Sequence, residues 1–162
     1  MGGAGDIQID VSDRQRMVRV GAAWLARIAR RALAREGVER AEISILIVGD
    51  RRMARLHEEW LGVRGPTDVI TFDLAGPDGH GDGGLRGDIV VSAETARRVA
   101  RELGWAPRHE LAYYVVHGLL HLAGHDDLDP VRRRAMRARE RVLMAAAGLP
   151  RPPRGRTRRA PT

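Results

Sequence analysis

The chain has 162 residues, 43% of them hydrophobic, which is enough for one domain with a buried core and too few for two. It has no cysteine, so disulfide frameworks and thiolate metal clusters are excluded and any metal must be held by nitrogen and oxygen. The net charge of +7 is concentrated at the C-terminal end: five arginines lie between 151 and 159, whereas residues 1–150 carry 23 basic and 21 acidic side chains.

Residues 1–10 contain neither a basic segment nor an apolar run, and no window reaches the ~18 apolar residues of a membrane span. A cytoplasmic protein with no membrane partner is expected. Ile7–Val11 alternates as a short strand, and Ser12 or Asp13 is positioned to cap a helix whose stripe is Met17, Val20, Trp24 and Ile28, ending before Gly37. The run Ile43–Val48 is β-branched and apolar on nearly every residue, as in a central strand covered on both faces. Asp50 then caps a short helix through about Trp60, and Gly62 breaks it. Asp68–Phe72 and Asp88–Val91 read as strands joined by a glycine-rich hairpin that carries His80. Ser92 caps a helix to about Leu103. A further helix from about Pro107 to Ala123 has the core stripe Leu111, Tyr114, Val115, Gly118 and Leu122. Asp129-Pro130 starts the last helix, with Val131, Ala135, Ala138 and Val142 as its buried face. The expected architecture is a mixed α/β domain over residues 1–149, about four strands in a mixed sheet against about five helices. The basic tail, 150–162, has almost nothing to bury and is expected to be disordered. It could hold a phosphate backbone by counterion release, and a merely solvated tail is the alternative. All 28 basic residues are arginine, which reflects coding bias more readily than phosphate recognition.

The segment His117–Asp127 concentrates the chemistry. Residues four apart on a helix lie one above the other, so the rings of His117 and His121 can converge on one ion, as on the metal-binding helix of zincins. The bland alternative is two surface histidines that share no ligand. Gly118 permits close approach of a backbone or substrate, and Gly124 stops the helix so that the following loop can turn back. His125, Asp126 and Asp127 arrive within three residues, and any of them could complete a three-ligand site with one open position. Metallopeptidases of the H-E-x-x-H type place their general base directly after the first histidine, and here that position is Gly118. A peptidase is disfavoured on that ground.

His117 to Asp127 resembles the signature H-G-x-L-H-L-x-G-x-D-H of the YbeY endoribonuclease family, with Asp127 where the family has its third histidine. Arg64–Phe72 resembles the family's R-x-x-x-T-D-V-L-S-F, with two residues rather than three between Arg64 and Thr67, and Gly87–Ser92 resembles the family's G-D-I-x-I-S. The three segments keep the family's order, and the resemblance covers about Ile7 to Gly148. It implies a metal-dependent, single-strand-specific endoribonuclease that matures the 3′ end of 16S rRNA and monitors ribosomes. Its implied partners are single-stranded RNA, 16S rRNA and the small ribosomal subunit. It implies one zinc ion per chain on His117, His121 and Asp127, with Arg64 near the metal, so that Arg64, His117 and His121 are the expected catalytic residues. A carboxylate oxygen binds zinc at about the distance of an imidazole nitrogen, so the exchange at Asp127 is chemically tolerable. His125 is the competitor for the third position, and Asp126 reads as a loop cap. Thr67 and Asp68 are expected to hold the start of their strand, and His57 and His109 to be structural or solvated. Aromatics make up only 4% of the chain, so recognition would rest on the phosphate backbone more than on base stacking. Two other readings remain: a different metal-dependent hydrolase, such as a peptidase or amidase, and a noncatalytic ribosome-associated protein whose metal only staples the C-terminal loop.

Overall fold

The β-branched run belongs to β2 (Ala41–Val48), which lies inside a four-stranded sheet. β1 (Ile7–Asp13) and β4 (Leu85–Ser92) pair with it in parallel, and β3 (Val69–Asp73) forms the far edge, antiparallel to β4 with Ile70 opposite Val90. The spatial order is β1-β2-β4-β3. The computed structural model describes residues 6–62, 67–75 and 84–153. Arg64, the glycine-rich β3–β4 connection with His80, and residues 154–162 of the basic tail lie outside the described residues. The antiparallel β3–β4 pairing agrees with the expected hairpin. At the start of β3 the side chain of Asp68 accepts a hydrogen bond from Val69 N at 2.8 Å, the holding role expected of it.

Among the described residues five helices complete the mixed α/β fold: α1 (Ala22–Arg35), α2 (Asp50–Leu61), α3 (Ala93–Leu103), α4 (Pro107–Leu122) and α5 (Pro130–Ala146). α4 is the centre of the larger core, where its Tyr114, Leu119 and Leu120 meet Leu25 and Ile28 of α1 and Ile89 of β4. Every α4 residue from Glu110 to Leu120 is buried, as in a helix surrounded by other elements rather than lying on a surface. α2 covers the other sheet face, where Met53 packs with Val48, Ile70 and Val90. Contact between α4 and the sheet depends on missing side chains. A Cβ at Gly118 would lie 3.0 Å from Thr71 Cγ2 and 3.1 Å from Ile89 Cγ2. One at Gly87 would lie 2.7 Å from Leu122 Cδ1 and 2.8 Å from the Phe72 carbonyl oxygen.

Two helices differ from the sequence reading. α1 begins only at Ala22, because the side chain of Gln15 closes a turn ahead of it. Its Oε1 accepts from Met17 N and Val18 N at 2.8 and 2.9 Å, and its Nε2 donates to Asp13 Oδ1 and to Val18 O, both at 2.8 Å. Asp13 is thereby engaged, and Val18 and Val20 enter the core from a non-helical segment. α5 starts as expected, with Asp129 accepting from Arg132 N at 2.8 Å, but it is rotated about its axis. Met136, Glu140, Leu143 and Met144 face inward, and Val131, placed in the core by its pattern, is 74% exposed.

Asp50 is the first residue of α2 rather than its cap, and its carboxylate reaches across to the N-terminus of α3. It accepts from Ser92 Oγ at 2.5 Å, Thr95 Oγ1 at 2.7 Å and Arg98 at 3.3 Å, while Glu94 accepts from Asp50 N at 3.1 Å. Ser92 also caps α3 through Thr95 N at 3.2 Å, as its position predicts. Partial burial acts to raise the Asp50 pKa, but the hydrogen bonds from Ser92, Thr95 and Arg98, with the Arg98 charge, hold it below the ordinary carboxylate value.

Gly118→Ala is expected to destabilise the fold by about 1–3 kcal/mol through overpacking. Gly87→Ala should cost more, because its Cβ meets a backbone oxygen that cannot swing aside. Urea denaturation of both variants checks the ranking, and wild-type stability in Gly87→Ala would contradict this packing. The second expectation concerns Asp50, whose folded pKa is depressed. Its stabilisation is present above the unfolded value of about 3.9 and is lost as pH falls through the lower folded value. Asp50→Asn should therefore be less stable than wild type at neutral pH, with the gap narrowing in acid. A gap independent of pH in denaturation curves would show that the charge of Asp50 contributes nothing.

Candidate metal centre

The last two turns of α4 carry His117 and His121. The helix ends at Leu122, the chain reverses at Gly124 with φ of 102°, and His125 N bonds back to Leu120 O at 3.0 Å. This reversal brings the loop to the end of the helix, and Asp127 comes with it. His117 Nε2 and His121 Nε2 are 2.9 Å apart, and each lies 3.8 Å from an oxygen of Asp127. One ligand atom from each of the three residues falls within 4.8 Å of the others, a grouping that could hold a metal ion. The His117 side chain is 5% exposed, against 27% for His121 and 20% for Asp127, so the cluster is closed on the His117 side and open on the other.

The outer nitrogens decide what the cluster can bind. His117 Nδ1 lies 2.6 Å from Glu140 Oε1, and His121 Nδ1 lies 3.1 Å from the carbonyl oxygen of His125. Both partners are acceptors, so in a neutral imidazole each Nδ1 must carry the hydrogen. Both Nε2 lone pairs then point into one space, together with the carboxylate of Asp127. Lone pairs 2.9 Å apart with no hydrogen between them repel unless a cation lies among them. Two nitrogens and one oxygen are also a donor set found in three-ligand zinc sites that keep an open position. The cluster therefore fits a divalent metal.

The neighbouring candidates are engaged elsewhere. The ring of His125 faces away, its Nε2 3.0 Å from Glu36 Oε1, and Glu36 also accepts from Arg139 Nε at 2.9 Å. Only the backbone carbonyl of His125 touches the site. Asp126 accepts from Leu128 N at 3.2 Å and from Arg132 at 3.0 Å, the loop-capping role read for it. His57 is buried within α2, and His109 lies beside Trp105, with ring centroids 6.0 Å apart. Burial and then the adjacent Arg108 charge hold the His109 pKa below the usual histidine value. Arg64 lies outside the described residues. Sequence reasoning missed Glu140 and Glu36, which hold the outer faces of the centre. For Glu140 there was one available signal: it is the sole acid within the arginine-rich α5.

The profile of endoribonuclease YbeY matches residues 8–148 of the chain. The chain belongs to the YbeY endoribonuclease family. An endoribonuclease YbeY of an Anaeromyxobacter species is 48% identical over 117 residues, covering 72% of this chain and 60% of that protein. The YbeY of Geobacter metallireducens is 34% identical over 142 residues, covering 86% of this chain and 95% of that one. The chain thus spans 60% of the length of the first relative and nearly all of the second. A Thermotoga maritima protein solved in solution shares the fold at a TM-score of 0.63, with 22% identity and coverage of 86% of this chain and 89% of that one. YbeY proteins are named as endoribonucleases, hydrolases that cut within RNA. Among the described residues no helix is long and apolar enough to cross a membrane.

Proposed function

We propose that this YbeY-family protein is a metal-dependent endoribonuclease that hydrolyses phosphodiester bonds of single-stranded RNA in the cytoplasm. Its substrate would be the 3′ end of 16S rRNA on the small ribosomal subunit. The observation that carries the reading is the convergence of the His117 and His121 Nε2 lone pairs with the Asp127 carboxylate, in a chain matched by the YbeY profile over residues 8–148. One zinc ion per chain, with His117, His121 and Asp127 as ligands, is the metal this donor set suits. Bound there, zinc would polarise a phosphoryl oxygen and lower the pKa of water to roughly 7.

The chain's own groups do the remaining work. Glu140 and the His125 carbonyl hold the Nδ1 hydrogens of the two ligand histidines, so both rings keep their lone pairs turned inward. His121 and Asp127 border the open side, where a phosphate can approach, while the buried His117, backed by Glu140 of α5, closes the other. Arg64 would fork two donors onto the phosphate and offset the charge that develops on phosphorus. The peptidase alternative lacks its base. Gly118 follows His117 and lies against Thr71 and Ile89, which an acid at that position would crowd. In this reading residues 1–149 form the catalytic domain, and the basic tail, 150–162, adds contacts to RNA phosphates.

Zinc-loaded protein is expected to cut single-stranded RNA, to stop when a chelator removes the metal, and to resume when zinc is returned. Intact RNA after incubation with zinc-loaded protein would remove the nuclease reading and leave the noncatalytic one. For the ligand set, His117→Ala and Asp127→Ala should each bring bound zinc well below one ion per chain, with His125→Ala retaining it. Metal analysis giving the opposite order for Asp127 and His125 would reassign the third ligand. Arg64→Ala should keep its zinc and lose about 100-fold or more in cleavage rate, the scale of a lost transition-state donor. Undiminished cleavage would end the role proposed for Arg64.

A further inference from the structure

We propose that Glu140 is the positioning residue of the metal centre: its buried carboxylate locks the His117 ring with Nε2 turned toward the metal, and the Tyr113 hydroxyl locks the carboxylate in turn. The proposal rests on the metal reading above. Glu140 comes from α5, 23 residues after His117, and is 2% exposed. Both of its oxygens are used, Oε1 accepting from His117 Nδ1 at 2.6 Å and Oε2 accepting from the hydroxyl of Tyr113. Tyr113 lies four residues before His117 on α4 and is 3% exposed, so one carboxylate grips two successive turns of the ligand helix.

Packing alone does not explain an acid on the buried face of α5. α5 buries Glu140 and leaves Val131 74% exposed, although desolvating a carboxylate is costly and burying a valine is favourable. The rest of that buried face is apolar, Met136, Leu143 and Met144, so Glu140 is the one charged group core formation does not explain, and the group that it meets is His117. The second ligand offers the contrast. His121 Nδ1 meets a neutral backbone carbonyl at 3.1 Å, whereas His117 meets an anion at 2.6 Å. Charge-assisted hydrogen bonds are roughly twice as strong as neutral ones, so His117 is held in one tautomer and one orientation more firmly than His121. Glu140 also sets a negative charge behind the ligand, which strengthens His117 as an electron-pair donor to a cation.

The test is zinc affinity of the full chain, read by competition with a chromogenic chelator. Glu140→Gln keeps the size and an acceptor for His117 but removes the charge, and it should weaken zinc binding about 10- to 100-fold. Tyr113→Phe leaves the His117 contact and should weaken it by a smaller factor, providing a readout if Glu140→Gln does not fold. Glu110→Gln is the control: Glu110 is equally buried in α4, but it accepts from the Trp105 indole at 2.9 Å, and its loss should alter thermal stability while leaving zinc affinity unchanged. In metal-free protein, nitrogen-15 NMR should show His117 as the Nδ1–H tautomer, with Nε2–H appearing in Glu140→Gln. Wild-type zinc affinity in a folded Glu140→Gln, or an equal loss in Glu110→Gln, overturns the positioning role while the metal reading stands. Wild-type protein that binds no zinc overturns both.

Discussion

The structure depends on one close approach. α4 is pressed onto β3 and β4 at Gly118, where the methyls of Thr71 and Ile89 occupy the space of the missing side chain, and Gly87 receives Leu122 one turn further along. The contact lets the helix sink until every residue from Glu110 to Leu120 is buried. It also settles which way the histidines turn. With Gly118 against the sheet, His117 points toward α5 and His121 toward the loop. The glycine after the first histidine thus has a packing role that a side chain there would disturb, and a peptidase-type base at that position would disturb the same contact.

Burying two histidines beside such a core requires that their outer nitrogens be satisfied, and the groups that do this are one 23 residues away and one four residues away. Glu140 on α5 takes the Nδ1 hydrogen of His117. The carbonyl of His125 takes that of His121, and the loop bearing it is tied through the His125 ring to Glu36 just past α1, which Arg139 on α5 also holds. Adjacent residues of α5, Arg139 and Glu140, therefore act on the surroundings of both histidines. The centre exists only when α1, α4 and α5 are docked, so a cation bound there would stabilise the contacts among all three helices.

How much of this was legible in the sequence follows from the range of each interaction. The apolar run of β2, the Ser92 cap, the Asp129-Pro130 start and the i, i+4 histidine pair are local patterns, and the structure has them where they were read. The start of α1 was misplaced because the Gln15 side chain closes a turn that no apolar periodicity records. The face of α5 was misread because a hydrophobic pattern assigns every acid to solvent, whereas Glu140 is buried with His117 and Tyr113 as partners. The choice between His125 and Asp127 was open for a related reason. What turns the His125 ring aside is Glu36, 89 residues earlier, and no local motif announces that pairing.

An aspartate rather than a third histidine at position 127 sets the charge of the proposed centre in a way that bears on the proposed chemistry. A divalent ion among His117, His121 and Asp127 would have one carboxylate in contact and a second, Glu140, behind His117, so its two positive units would be formally balanced. A centre balanced in this way attracts a phosphodiester less strongly than one with three neutral ligands. The negative charge of the substrate, and the further charge that gathers on phosphorus during attack, must then be met from outside the metal's own ligands. Among the residues of the matching segments Arg64 has the chemistry for that task, since a guanidinium is always charged and grips phosphate through two donors. On this account the centre supplies geometry and polarisation, while arginine supplies the electrostatic attraction. The aspartate therefore makes the proposed enzyme more dependent on its arginine than a three-histidine centre would be.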